Sequence, residues 1–129
     1  ICSGLVGSEM CIRDSRMQAV VTGRPVDDDP GNDCHIDQIA NPDNLTFIDG
    51  DNTLIIAEDS SGGHQHNMLW AYQTDKDRLT RLLTAPLGAE VTGSYHVQDV
   101  DGWDYLMCTI QHPAEGPALT GYLGPFPRP

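Results

Sequence analysis

The chain has 129 residues, of which 19 are acidic and 7 basic, for a formal net charge of -12 and a pI near 4.4. That balance repels nucleic acid and anionic membrane surfaces and makes cations the natural partners. Thirteen Gly, nine Pro and only 39% hydrophobic residues give too little apolar material for a helical bundle and describe an all-β, loop-rich chain. No apolar run approaches the roughly 18 residues of a membrane span.

Glu9-Met10-Cys11-Ile12-Arg13-Asp14-Ser15 back-translates to a stretch resembling the transposon-end adapter of sequencing libraries. Residues 1–16 are therefore read as a non-native leader and residues 17–129 as the domain. Setting the leader aside removes two acids and two bases, so the charge stays at -12. It also removes Cys2 and Cys11, and the two cysteines left, Cys34 and Cys108, make no disulfide framework.

In chain order, Val20 and Val21 precede an acidic loop, Asp27-Asp28-Asp29-Pro30-Gly31-Asn32-Asp33, whose Pro and Gly mark irregular backbone. Leu45 to Ile48, the turn Asp49-Gly50-Asp51-Asn52 and Leu54 to Ala57 predict a first β-hairpin. Met68 to Tyr72, the turn Thr74-Asp75-Lys76-Asp77 and Leu79 to Leu83 predict a second. Leu79, Leu82 and Leu83 also have helical spacing, but Thr80, Thr84 and Pro86 around them favour a strand. The scheme restarts with Thr92 to Val97, a turn at Asp99 to Asp104, and Tyr105 to Ile110. Aligning Leu45-Thr46-Phe47 with Gly93-Ser94-Tyr95 gives an offset of 48, and Leu54 with Tyr105 gives 51. Roughly 40 to 50 residues per four-stranded unit is the spacing of β-propeller blades, although two such units could also form a sandwich. The fold expected is all-β, a fragment of about one and a half antiparallel propeller blades.

In up-and-down sheets the connection leading into the first strand and the one leaving the second lie at the same end. That geometry predicts that residues 41–44, 58–66, 88–91 and 111–116 converge on one rim. The rim then offers Asp43, Asn44, Glu58, Asp59 and Glu90 as oxygen donors, the ligand type that calcium takes in sets of about six to eight. Clustered carboxylates raise each other's pKa and oppose folding unless a cation gathers them. The competing reading leaves each as a surface residue, with Asp43 and Asn44 closing an Asx turn and Glu58-Asp59 ending a strand.

His64 and His66 form a His-x-His pair that can serve zinc, or simply hydrogen-bond within their loop. His35, His96 and His112 carry no motif. Cys34 is open to reading as a ligand, a nucleophile or an inert thiol. There is no phosphate-binding Gly-rich loop, no nucleotide fingerprint, no Gly-x-Ser-x-Gly elbow and no His-Glu-x-x-His helix in the chain.

The segments Ala40-Asn41-Pro42-Asp43-Asn44-Leu45-Thr46-Phe47, Leu54-Ile55-Ile56-Ala57-Glu58-Asp59, Gly63-His64-Gln65 and Leu69-Trp70 occur in that order. Thr84 to Gly93 and Ile110-Gln111-His112-Pro113 follow. In that order and spacing, over about residues 34–117, the chain resembles the PhoX-type alkaline phosphatases. The resemblance implies a six-bladed propeller, exported by the twin-arginine route to the periplasm or beyond. It implies hydrolysis of phosphate monoesters with calcium and iron at one end of the channel, in a monomeric parent protein that binds neither nucleic acid nor membrane. It makes Asp43, Asn44, Glu58, Asp59 and Glu90 the metal-site candidates. The family's Cys-Glu-Glu type iron motif and its catalytic arginine segment are not recognisable here, so the chain is expected to be inactive alone. Rival readings are a calcium-stabilised propeller that binds without catalysis, and a lactonase-like propeller hydrolase.

Overall fold

The computed structural model describes residues 18–59 and 62–128; the leader predicted over residues 1–16 lies outside them. Seven strands and no helix make up the described residues. The first four, β1 (Pro42–Ile48), β2 (Thr53–Glu58), β3 (Met68–Gln73) and β4 (Arg78–Thr84), form one antiparallel sheet in the order β1-β2-β3-β4. Both predicted hairpins and the strand at residues 78–84 are thereby found. A second antiparallel sheet follows, of β5 (Glu90–Val100), β6 (Trp103–Gln111) and β7 (Leu119–Pro127).

Turn chemistry sets the register of each hairpin. Between β1 and β2 the pair Ile48↔Thr53 closes a four-residue loop in which Gly50 and Asn52 take positive φ of 85° and 48°, conformations that glycine and asparagine accept at little cost. Between β5 and β6 the strands run on past the expected turn to a two-residue loop, Asp101-Gly102, flanked by the pair Val100↔Trp103. Both loop residues have positive φ, and Asp-Gly is the sequence such a tight hairpin calls for.

The strand that sequence reading did not predict is β7. Leu119 to Pro127 carries Gly121, Gly124, Pro125 and Pro127, a composition that argues against a central strand. It pairs only with β6 and sits at the sheet's edge, where the missing N–H groups cost no ladder bond.

The two sheets pack face to face. Ile55, Ala57 and Leu69 of the first meet Val91, Leu106 and Cys108 of the second, with Ala85 and Ala89 closing the layer. Strands β1 and β5 lie side by side, and Thr46 Oγ1 donates to the Ser94 carbonyl at 2.6 Å. Those two residues are the pair matched by the offset of 48. In β2 and β6 the offset of 51 does not hold: Leu54 packs with Ile56 and Trp70 on the face turned away from the second sheet, whereas Tyr105 lies on the second sheet's own outer face. Repeat-equivalent positions in stacked sheets face the same way, and a one-residue slip turns every side chain over, so Leu54 and Tyr105 are not equivalent.

The outer face of the first sheet is itself covered. Residues 18–40 cross it, and Ile39 and Val21 pack on Ile56, Met68, Trp70 and Tyr72. Arg81 adds to this cover, its guanidinium 5.6 Å from the Trp70 ring centre and 2.8 Å from Asp37.

Candidate metal centre

All the connections at one end of the two sheets interlock through backbone hydrogen bonds. Asp59 N donates to Asn41 O at 3.3 Å, Gly88 N to Gln65 O at 3.0 Å, and Ala114 N to Leu87 O at 3.0 Å. Asn67 Nδ2 adds a buried bond of 2.8 Å to Ala89 O. The segments leading into β1 and β5 and those leaving β2 and β6 therefore share one rim.

Local irregularity aims the carboxylates there. The register runs from Pro42↔Glu58 directly to Asn44↔Ala57, so Asp43 is an extra, unpaired residue. A bulge of this kind re-directs its side chain. Asn41, with φ of 39°, bends the chain into it. Asp59 follows the last residue of β2, and Glu90 opens β5 opposite Gln111. Asp43, Asp59 and Glu90 thus each offer a carboxylate oxygen within 4.8 Å of the other two, with Asp43 and Asp59 exposed and Glu90 half-buried. Asn44 stands beside them and donates its side-chain amide N–H to Asp43 Oδ2.

Glu58 is held elsewhere. Its side chain is 0% exposed, and both oxygens are taken up. Oε1 accepts from Ala40 N and Trp70 Nε1, each at 2.8 Å, and Oε2 accepts from Met68 N and pairs with His64 Nδ1, each at 2.9 Å. Four partners of this kind satisfy a buried carboxylate without a metal. Glu58, the last residue of β2, continues the alternation that puts Leu54 and Ile56 on the outer face, and Asp59, one residue beyond the strand, joins the rim. Alternation along β2 was the sequence signal for the place of Glu58.

His64 and His66 serve as hydrogen-bonding residues. His64 is buried against Glu58 and, through Nε2, lies 3.3 Å from His35 O. His66 Nδ1 lies 3.1 Å from Ala85 O. His96, which carried no sequence motif, pairs with Asp104 at 3.1 Å at the opposite end of the second sheet. The Asp99 backbone N–H, and to a smaller extent His96 and Arg128, hold the Asp104 carboxyl below its usual range.

Neither cysteine joins the three carboxylates. Cys34 Sγ donates to Ile39 O at 3.2 Å. Cys108 is buried between the sheets, where burial pushes its thiol pKa up, away from the thiolate that metal binding needs. The donor set at the rim is therefore three carboxylates from three separate connections, a hard-oxygen set that fits calcium and lacks the sulfur that a thiolate-bound iron requires. No family model, curated protein or solved structure matches this chain.

Proposed function

We propose that Asp43, Asp59 and Glu90 hold a calcium ion at the rim of a β-propeller, and that the protein containing this chain is a secreted phosphomonoesterase of the PhoX-like kind. The observation carrying the reading is the gathering of three carboxylates, from connections far apart in sequence, to within 4.8 Å. Three like charges at that spacing repel unless protonated or neutralised, and a divalent cation neutralises them while leaving coordination positions for water and phosphate oxygens. Two stacked antiparallel sheets with adjacent first strands, joined by up-and-down connections, support the propeller reading.

The chain's own residues have three tasks here. Asp43, Asp59 and Glu90 position the ion, the Asn44 amide fixes the Asp43 carboxylate, and the interlocked backbone of residues 41–59 and 65–114 keeps the three supports together. Bound calcium supplies positive charge to a phosphate monoester's oxygens as negative charge builds on them. The iron that the resemblance implies has no thiolate ligand in this group, and no step is assigned to it.

The test separates binding from catalysis. Calcium titration is expected to raise the melting temperature of the chain, by an amount that grows with the logarithm of free calcium, and the D43N/E90Q double variant is expected to lose that response. A melting temperature indifferent to calcium and chelator removes the metal centre. For the full-length protein, cleavage of p-nitrophenyl phosphate that stops with chelator is the expected result. Calcium-dependent stability without phosphatase activity would instead support the non-catalytic propeller, and cleavage of a lactone in place of the phosphate ester would support the lactonase-like hydrolase.

A further inference from the structure

The interface between the sheets is closed at the rim and open at the other end. Near the rim it is filled by Ala57, Ala85, Ala89, Val91 and Cys108, all buried. Towards the β1–β2 and β5–β6 turns it widens into a cavity of about 570 Å³, within the range of small-molecule sites. β1 alone separates this end from the carboxylate rim by its 7 residues, roughly 20 Å of extended chain.

The floor of the cavity is apolar and includes Ile48, Ile55, Ala71, Leu82, Leu106 and Phe126. Its mouth is negative. Asp49 and Asp51 stand on the β1–β2 turn, each carboxylate accepting one or more local hydrogen bonds, from Gly50 N and from Thr53 Oγ1, and neither in an ion pair among the described residues. The cation at the mouth, Arg128, is already engaged, at 3.1 Å from Asp99 and 3.5 Å from Asp104. His96 is bonded to Asp104 as well.

We propose that this cavity binds an amphiphilic organic cation, an alkyl- or arylammonium group whose apolar body enters between the sheets while its charge rests against Asp49 and Asp51. Charge complementarity selects the class. An anionic head would meet two unneutralised carboxylates and an arginine whose charge is spent, at the surface of a chain of net charge -12. A metal ion is a poor occupant, because among the described residues the only trio of potential ligands within 4.8 Å is the one at the rim. An uncharged apolar molecule would gain the floor but leave the mouth without a partner.

Three eight-carbon probes of equal tail length decide the matter: n-octylammonium, 1-octanol and octanoate, titrated into the full chain by calorimetry with and without calcium. Saturable one-to-one binding of octylammonium is expected, at least about tenfold tighter than octanoate, which corresponds to about 1.4 kcal/mol. It should be unaffected by chelator, since the rim is a separate site. The D49N/D51N double variant, confined to the β1–β2 turn, should weaken octylammonium several-fold and leave octanol unchanged. Ala71→Phe should fill the cavity and abolish binding of both. Equal affinities for octylammonium and octanoate, or the same preference in D49N/D51N, would overturn the proposal.

Discussion

Each sheet is organised around one buried carboxylate, and the two are held in different ways. Glu58, in the first sheet, is sealed between its strands and residues 39–40, with four partners and no exposure. Asp104, in the second, is also buried but stands at the border of an open cavity, with a backbone N–H, His96 and the half-exposed Arg128 around it. The same contrast extends to the sheets as wholes. β2 is buried along nearly its whole length, as a strand covered on both faces must be. β6 alternates over its first residues because one of its faces is open. A hydrogen-bonded carboxylate that solvent cannot reach is a fixed structural element, whereas one that faces a cavity stays responsive to what enters it.

The sharpest way to break that contrast is to remove the first of the two carboxylates. Glu58→Ala would strip the partners from Ala40 N, Met68 N, Trp70 Nε1 and His64 at once, and loss of one member of such a buried network is expected to cost about 3 to 5 kcal/mol. Against a typical total of about 5 to 15 kcal/mol, urea unfolding should show the variant's midpoint far below the parent's. A midpoint within experimental error of the parent's would mean that the Glu58 network is not formed.

Next in size is a paired comparison of faces. Ile56→Ala, on the covered outer face of the first sheet, should cost about 2 to 5 kcal/mol through lost burial and the cavity left behind. Tyr95→Ala, at a position 66% exposed on the second sheet, should change stability by less than about 1 kcal/mol. Equal effects in denaturant melts would indicate that the second sheet's outer face is covered in solution too.

A smaller effect is expected for Arg81→Ala, which removes the contact with the Trp70 ring and the ion pair to Asp37. Exposed interactions of these two kinds are worth about 0.5 to 1 kcal/mol each. Because Asp37 lies in the segment that covers the first sheet, faster amide exchange across residues 35–40 should accompany the loss. Unchanged exchange there would show that the arginine does not fasten the cover.

Much of the fold was legible in the sequence because turn chemistry and strand patterning are local. Asp49 to Asn52 and Thr74 to Asp77 delimit the hairpins without reference to anything distant, and the four-strand unit follows from them. β7 was hidden because its glycines and prolines are tolerated only by its edge position, a fact of topology and not of composition. The rim was legible to the extent that connectivity places it: Asp43, Asp59 and Glu90 do meet. The position of Glu58 depends on donors from Ala40, Met68 and Trp70, up to 18 residues away, and the His96–Asp104 pair forms only once the Asp101-Gly102 turn brings β5 and β6 into register.

The last test concerns Asp104 and carries a definite sign. The Asp99 N–H bond first, and the charges of His96 and Arg128 after it, lower its folded-state pKa below the ordinary value of about 3.8. A carboxyl depressed in the folded state binds fewer protons there than in the unfolded chain. Its contribution to stability is therefore fully present above the unfolded value near 3.8 and is lost as pH falls through the lower folded value. Melting curves of the parent and of Asp104→Asn should accordingly differ in the range of about pH 5 to 6. Below that range the two should converge, because protonation removes from the parent what the substitution has already removed from the variant. A gap between parent and Asp104→Asn that persisted unchanged into acid would mean that the loss comes from packing, and that the charge on Asp104 does not hold the β5–β6 turn and Arg128 together.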